Sequence, residues 1–464
     1  MFAIPGIVLL VAAIYLRPQE VLVPLASVPL LHFALGLAVF GWVLDLRVGF
    51  TKLRWSPLDA WVIGFVLWAV AVSLLRTPGR VPAQALELAV CAALYLVVAH
   101  GVQTFRGLGV VAGSVLCVVV AVSSVAVEQR LEPMGCVQID ESTPGDTTSG
   151  KHDGRPCKVA RDCYLGDAEP GAQYMCEHVG WLGTTTVGKG RIRYRGVLQD
   201  PNELALVASI GLPLAFAVGF ARRRTLWALA LLSLVFALVL SAAVLTRSRG
   251  GQLVFLAVLA VPFARRFGWR GLALGALLAT PLLLLGGRAG GEASSSSVER
   301  ADCWAEALSI WRAHPLVGAG LGQFGRYHYL TAHNSYLLAL AELGLPGMLL
   351  FSGLVYTGAK VPFTLWQRSE GARSEGSAES EIVRPWAIAL LSAFAGLAVG
   401  IFFLSFTYHY VLWIYLGLSA ALAAAVERHD VTRRVHLERR DLGLVLAGSV
   451  AVIAVVWLYT RAVL

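Results

Sequence analysis

Charge is what this sequence has least of. Asp, Glu, Lys and Arg make up only 14% of its 464 residues while 57% are hydrophobic, and the mean hydropathy is +0.68. A soluble globular chain carries about a quarter charged residues, so that class is excluded. Alternating apolar segments of about ten residues are also missing, which excludes a transmembrane β-barrel. The first apolar run, "FAIPGIVLLVAAIYL", has no basic stretch ahead of it and no small-residue cleavage site after it. It reads as a retained helix, not as a cleaved signal.

What is present instead is a succession of apolar runs of about 15 to 25 residues, the pattern of membrane-spanning helices. Thirteen are expected: 2–16, 22–45, 57–75, 82–100, 107–127, 202–221, 225–245, 250–264, 271–287, 335–358, 385–405, 409–427 and 442–461. The fold class is an all-α polytopic membrane protein of about 12–13 transmembrane helices. The net charge of +9 comes from basic clusters between spans, so no nucleic-acid partner is expected. Those clusters are Arg47/Lys52/Arg54, Arg222–Arg224, Arg265/Arg266/Arg270, Lys360 to Arg384 and Arg428 to Arg440. All fall on one side if the N-terminus is cytoplasmic, since basic loops stay inside. Two long polar loops then face outward.

The chain divides accordingly into N-terminal helices 1–127, an outer loop 128–201, central helices 202–287 and a second outer loop 288–334. Core helices 335–427 follow, with a cytoplasmic linker over 359–384. A basic segment and final helix, 428–464, complete the chain. The Ser/Gly/Glu-rich "WQRSEGARSEGSAESE" in the linker suggests flexibility.

Four of the seven cysteines, Cys136, Cys157, Cys163 and Cys176, lie in the first outer loop. On an oxidising side they predict two disulfides with three possible connectivities. A zinc site completed by His152 or His178 is the rival reading, weakened by the lack of any C-x-x-C pair. Cys91, Cys117 and Cys303 are expected to be unpaired.

Candidate chemistry gathers at the outer ends of the spans. "RYRGVLQDPNELALVASI" brings Arg191, Arg193 and Arg195 to a helix start where Asp200, Pro201 and Glu203 form a capping pattern around Asn202. "LTRSRGGQL" confines Arg247 and Arg249 to a tight outer connection. Guanidinium groups there either snorkel to lipid phosphates or hold the phosphates of a substrate. "IWRAHPLVGAGLGQF" contains a glycine-rich turn that follows no strand. Residues 302–312 read as an interfacial helix with Trp304 and Trp311 on one face, with sugar stacking as the alternative.

In "TAHNSYLLALAELGLPG", His333 and Asn334 stand at the mouth of a span, where neutral imidazole suits a general base. Glu342, nine residues on, faces the opposite side of a straight helix and reads as packing. His409, in "SFTYHYVLW", is the reserve candidate for the base.

Four of these pieces, "RYRGVLQDPNELA", "TRSRGG", "IWRAHPLVGAGLGQF" and "HNSYLLALAELGLPG", resemble in type and order the O-antigen ligase and polymerase superfamily of bacterial envelope glycan assembly. The resemblance covers roughly residues 190–425. It implies a metal-independent, inverting glycan transferase with no cofactor, GT-C-like in fold, in the bacterial inner membrane with its site on the periplasmic face. Its donor would be a glycan on undecaprenyl diphosphate. Its acceptor would be lipid A-core or a second lipid-linked glycan, with membrane lipids and other envelope glycan assembly proteins as partners. Carried to matching positions, Arg195 and Arg249, supported by Arg191 and Arg247, would bind the diphosphate. His333 would activate the acceptor hydroxyl, with Asn334 and Asn202 in support. The four-cysteine loop and a final outward-ending helix depart from the family pattern.

Ligase and polymerase both remain open at this stage. A lipid-glycan transporter or a non-catalytic assembly scaffold are the rivals from other classes. A transporter would carry polar residues along a mid-membrane path; here only Glu87 and Glu342 lie away from the outer ends.

Overall fold

A computed structural model of the chain describes residues 1–139, 151–220, 225–286, 291–373, 378–430 and 433–464. Helices α1 (Ala3–Leu16), α2 (Pro18–Val21), α3 (Leu30–Val48), α4 (Pro57–Arg76), α5 (Val81–Gly101) and α6 (Phe105–Gln129) precede the first long loop. After it come α7 (Pro201–Phe220), α8 (Leu226–Leu245), α9 (Arg249–Gly286), α10 (Gly291–Ala313), α11 (Ser335–Arg373), α12 (Ala378–Gly400), α13 (Tyr410–His429) and α14 (Arg439–Val463). Eleven helices among the described residues are long and apolar enough to cross a membrane. The protein is an all-α polytopic membrane protein.

The remaining two expected spans are present in altered form. The first is the 14-residue α1, anchored because Asp45 of α3 accepts hydrogen bonds from the Phe2 and Ala3 N–H groups at 2.8 and 2.9 Å. Those are helix-start donors with no intrahelical partner. The second is the far limb of α9, where Gly268 leaves the helical region at φ 68°. Gly275 lies against the Phe263 ring, its absent Cβ only 2.9 Å away. Twelve residues of straight helix would separate them by about 18 Å, so α9 doubles back.

Two faces emerge. The basic face holds Arg54–Glu427 at 3.5 Å, and Arg428 and Arg434 donate to the Phe50 and Trp55 carbonyls. Lys360 there pairs with Asp441, whose other oxygen accepts from Tyr356. The described residues of the expected linker 359–384 are helical. Helix α11 runs to Arg373 and α12 resumes at Ala378, because Glu370 bridges Arg265 (2.6 Å) and Arg384 (2.8 Å). Residues 374–377 of that stretch and the Arg222–Arg224 cluster lie outside the described residues.

The opposite face carries the long loops. In the first, strands β1 (Met134–Gln138), β2 (Lys151–Pro156) and β3 (Tyr174–His178) form an antiparallel sheet in the order β2-β1-β3. Disulfides Cys136–Cys163 and Cys157–Cys176 staple it. All four sulfurs are thus consumed, and the zinc reading falls. Cys91, Cys117 and Cys303 are unpaired, as expected.

Candidate functional site at the loop-bearing face

The span expected over 335–358 is broken. Gly344 adopts φ 70°, outside the helical region, and the Tyr336 and Phe351 rings meet with centroids 5.5 Å apart. Fifteen residues of straight helix would place them about 22 Å apart. The stretch from Ser335 to Leu343 is therefore a short helix of its own, bent sharply against the long limb that crosses the bundle.

Both ends of this short helix are capped by side chains and loops. Asn334, fully buried, accepts from the N–H groups of Tyr336 and Leu337, each at 3.0 Å, as an N-cap. At the other end the Ala341 and Glu342 carbonyls accept from Ala319 (2.8 Å) and Gly320 (3.0 Å), and that of Leu343 from the Trp68 indole (2.8 Å). The glycine-rich "GAGLG" is thus a C-terminal cap supplied from another segment. Gly318 and Gly320 take φ of 63° and 113°, and a Cβ on Gly318 would sit 2.4 Å from the Glu342 carbonyl carbon. Glu342 is packing as expected, with a definite partner. Buried at 3% exposure, it accepts from the Phe324 N–H at 3.2 Å and holds the loop.

His333 precedes the cap at φ 46°, a left-handed conformation that is uncommon for any residue but glycine. Its ring, partly buried, makes no hydrogen bond among the described residues. Burial lowers its pKa below the usual histidine value; the Asp200 carboxylate opposes that shift and the Arg300 guanidinium reinforces it. The imidazole is neutral near pH 7 and able to take a proton.

Asp200 caps α7 through the Asn202 N–H at 2.8 Å and also accepts from the Asn202 side-chain amide at 2.7 Å. The Asn202 oxygen is 3.5 Å from Nη2 of Arg191, whose Nε donates to the Thr246 carbonyl at 2.9 Å. That bond joins Arg191 to the connection bearing Arg247 (φ 49°) and the exposed Arg249. Phe403 links this connection to α10. A Cβ on Gly250 would lie 3.7 Å from the Phe403 Cβ, and the Arg300 guanidinium sits 5.8 Å from the Phe403 ring. Ser335 fixes the loop carrying Phe403, with its N–H on the Ile401 carbonyl (2.8 Å) and its hydroxyl on that of Leu404 (2.7 Å).

Two sequence candidates stand apart from this cluster. Arg195 donates from Nη2 to the Leu182 carbonyl (2.5 Å) and from Nη1 to that of Glu20 (3.3 Å), binding loop 181–183 to α2. His409 is committed on both ring nitrogens. Nδ1 accepts from Val411 N–H at 3.3 Å as the cap of α13, and Nε2 donates to the Val197 carbonyl at 3.2 Å. Burial pushes its pKa down to about 4. Neither nitrogen is available to a substrate, so His409 is withdrawn as a base. Trp304 is also taken from the sugar-stacking reading, since it is buried between Phe402 and Tyr459.

Arg300 was missed from sequence. Its signal was present: it lies four residues before Trp304, on the same helical face, and the two meet the adjacent rings of Phe403 and Phe402.

Residues 234–352 match the family described as O-antigen ligase. This match supports membership of the O-antigen ligase superfamily. The matched stretch, about a quarter of the chain, contains Arg249, Arg300, His333, Asn334 and the Gly344 bend, while Arg191, Arg195 and Asn202 precede it. No curated protein matches the chain. The match supports an O-antigen ligase- or polymerase-type function for an integral membrane protein and implies lipid-linked glycan substrates.

Proposed function

We propose that this protein is an inverting glycan transferase that moves a saccharide chain from undecaprenyl diphosphate to an acceptor hydroxyl on the periplasmic side of the bacterial inner membrane. His333 takes the proton of the acceptor hydroxyl, and the freed oxygen attacks the anomeric carbon from the face opposite the diphosphate. The bond from that carbon to the diphosphate oxygen breaks, and the configuration inverts. Arg249 and Arg300, with Arg191 and Arg247 behind them, offset the charge that grows on the departing diphosphate. Asn334 and Asn202 position the base and the arginine cluster. Arg195 acts from the neighbouring loop, releasing the Leu182 carbonyl to reach the carrier. Because the leaving group is already good, positioning and electrostatics supply the catalysis without a metal.

The observation that carries this reading is the electrostatic surrounding of His333. It has one carboxylate and one guanidinium as its strongest charged neighbours, at the end of the bundle where the arginine-bearing connections gather. A ligase is preferred, transferring finished chains to lipid A-core; a polymerase joining two lipid-linked repeats uses the same groups. Deleting the gene separates them. Carrier-linked long chains absent from lipid A mark a lost ligase, and a core bearing one repeat marks a lost polymerase. Unchanged envelope glycan would reject both.

A further inference from the structure

Helices α7, α9 and α12 are tight at one end and splayed at the other. Toward the loop-bearing face they touch through glycine: a Cβ on Gly396 would lie 2.6 Å from Val258, and one on Gly400 would lie 2.5 Å from Leu206. Toward the basic face each carries an internal proline, Pro213, Pro262 and Pro385. A helix-interior proline removes a backbone donor and its ring displaces the preceding turn. The result is a cavity of about 400 Å³ lined by those three prolines with Phe216, Ala389 and Ser392, and by Arg265 and Arg384.

The cavity is apolar along its length and cationic at one end. Arg384 and Ser392 are eight residues apart on α12, so the lining runs about 12 Å into the bundle. Both guanidiniums share the single carboxylate of Glu370, at 2.6 and 2.8 Å. Two positive charges against one negative leave an excess of one. Arg265 and Arg384 also stay partly exposed, at 20% and 25% of their side chains, so a further anion can reach them.

We propose that this groove binds one anionic glycerophospholipid, its phosphate on Arg265 and Arg384 and one acyl chain along the proline-lined wall. The glycan carrier does not fit the role, because the groove opens in the half of the bundle opposite His333. The lipid fills the splay that the prolines create and holds α7, α9 and α12 at their spacing. This site is independent of the reading of His333.

The test uses the full-length protein in detergent, titrated separately with dioleoyl phosphatidylglycerol, dioleoyl phosphatidylcholine and inorganic phosphate. Melting temperature and native mass spectrometry of bound lipid are the readouts. Phosphatidylglycerol should raise the melting temperature saturably and bind at least tenfold more tightly than phosphatidylcholine, while phosphate alone has no effect. The double variant Arg265→Gln/Arg384→Gln should bring the two lipids to equal affinity, and Ala389→Phe should weaken both. Equal binding of the two lipids by the wild type, stabilisation by phosphate alone, or undiminished lipid selectivity in the double variant would overturn the proposal. Selectivity is read within each protein, so the charge variants decide the matter even if Ala389→Phe fails to fold.

Discussion

Trp68 of α4 donates its indole N–H to the Leu343 carbonyl at 2.8 Å, closing the last turn of the helix whose first turn Asn334 caps. A residue on a separate transmembrane helix thus fixes the far end of the element that presents His333. Replacing it with Phe keeps the ring but leaves a buried carbonyl unpaired, which costs about 1–3 kcal/mol. Trp68→Phe should melt several degrees lower than wild type in detergent and transfer glycan more slowly, with the pH profile unchanged.

Gly344 cannot accept a side chain. Its φ is 70°, and a Cβ would lie 2.1 Å from the Leu316 carbonyl oxygen. Gly344→Ala should cost about 3 kcal/mol or more, combining overpacking with left-handed strain. Gly325→Ala is the control, since a Cβ there meets nothing within 4 Å and φ is not positive. Thermal melts of the two variants check the contrast.

The pH dependence of transfer follows from the neighbours of His333. Its pKa is lowered by burial, so the neutral base persists below the ordinary histidine value and activity is lost only as pH falls through that lowered value. Asp200 raises the value and Arg300 lowers it. Asp200→Asn should therefore move the acid limb of the rate profile to lower pH, and Arg300→Gln should move it to higher pH. Opposite displacements, read in kcat/KM against pH, are the diagnostic result.

The two disulfides close loops with sequence separations of 27 and 19 residues. In the chain-entropy account each contributes about 3 kcal/mol to the loop that holds them. Cys136→Ala/Cys163→Ala should leave the transmembrane bundle folded while making 134–178 sensitive to protease. Limited proteolysis followed by mass mapping measures it.

The helices were legible in the sequence because each is an apolar run bounded by charge, and even the doubling back at Gly268 showed as two runs around Arg265–Arg270. A bend near Gly344 was signalled by Gly344, Pro346 and Gly347, but its sharpness was not. Apart from Glu342 the run stays apolar from Leu337 through Leu350, and what holds the bend is Leu316–Gly320, a segment distant in sequence. His333, Arg249 and Arg191 could be singled out as candidates because chemistry-bearing residues at helix mouths are few. Arg300 escaped notice in a charged stretch, where its only local signal is its place one turn before Trp304. The commitments of Arg195 and His409 depend on the Leu182, Glu20 and Val197 carbonyls, which only the folded chain brings to them.

The most direct test of the account is a purified, reconstituted transfer assay comparing wild type with His333→Asn. Asparagine tolerates the left-handed backbone at this position but cannot accept the hydroxyl proton. With a lipid-diphosphate-linked glycan, a lipid A-core acceptor and no added metal, the wild type should form product. The variant should be slower by about 10²–10⁴-fold with an unchanged melting temperature. Transfer by His333→Asn at the wild-type rate would contradict the role given to His333 and with it the proposed mechanism.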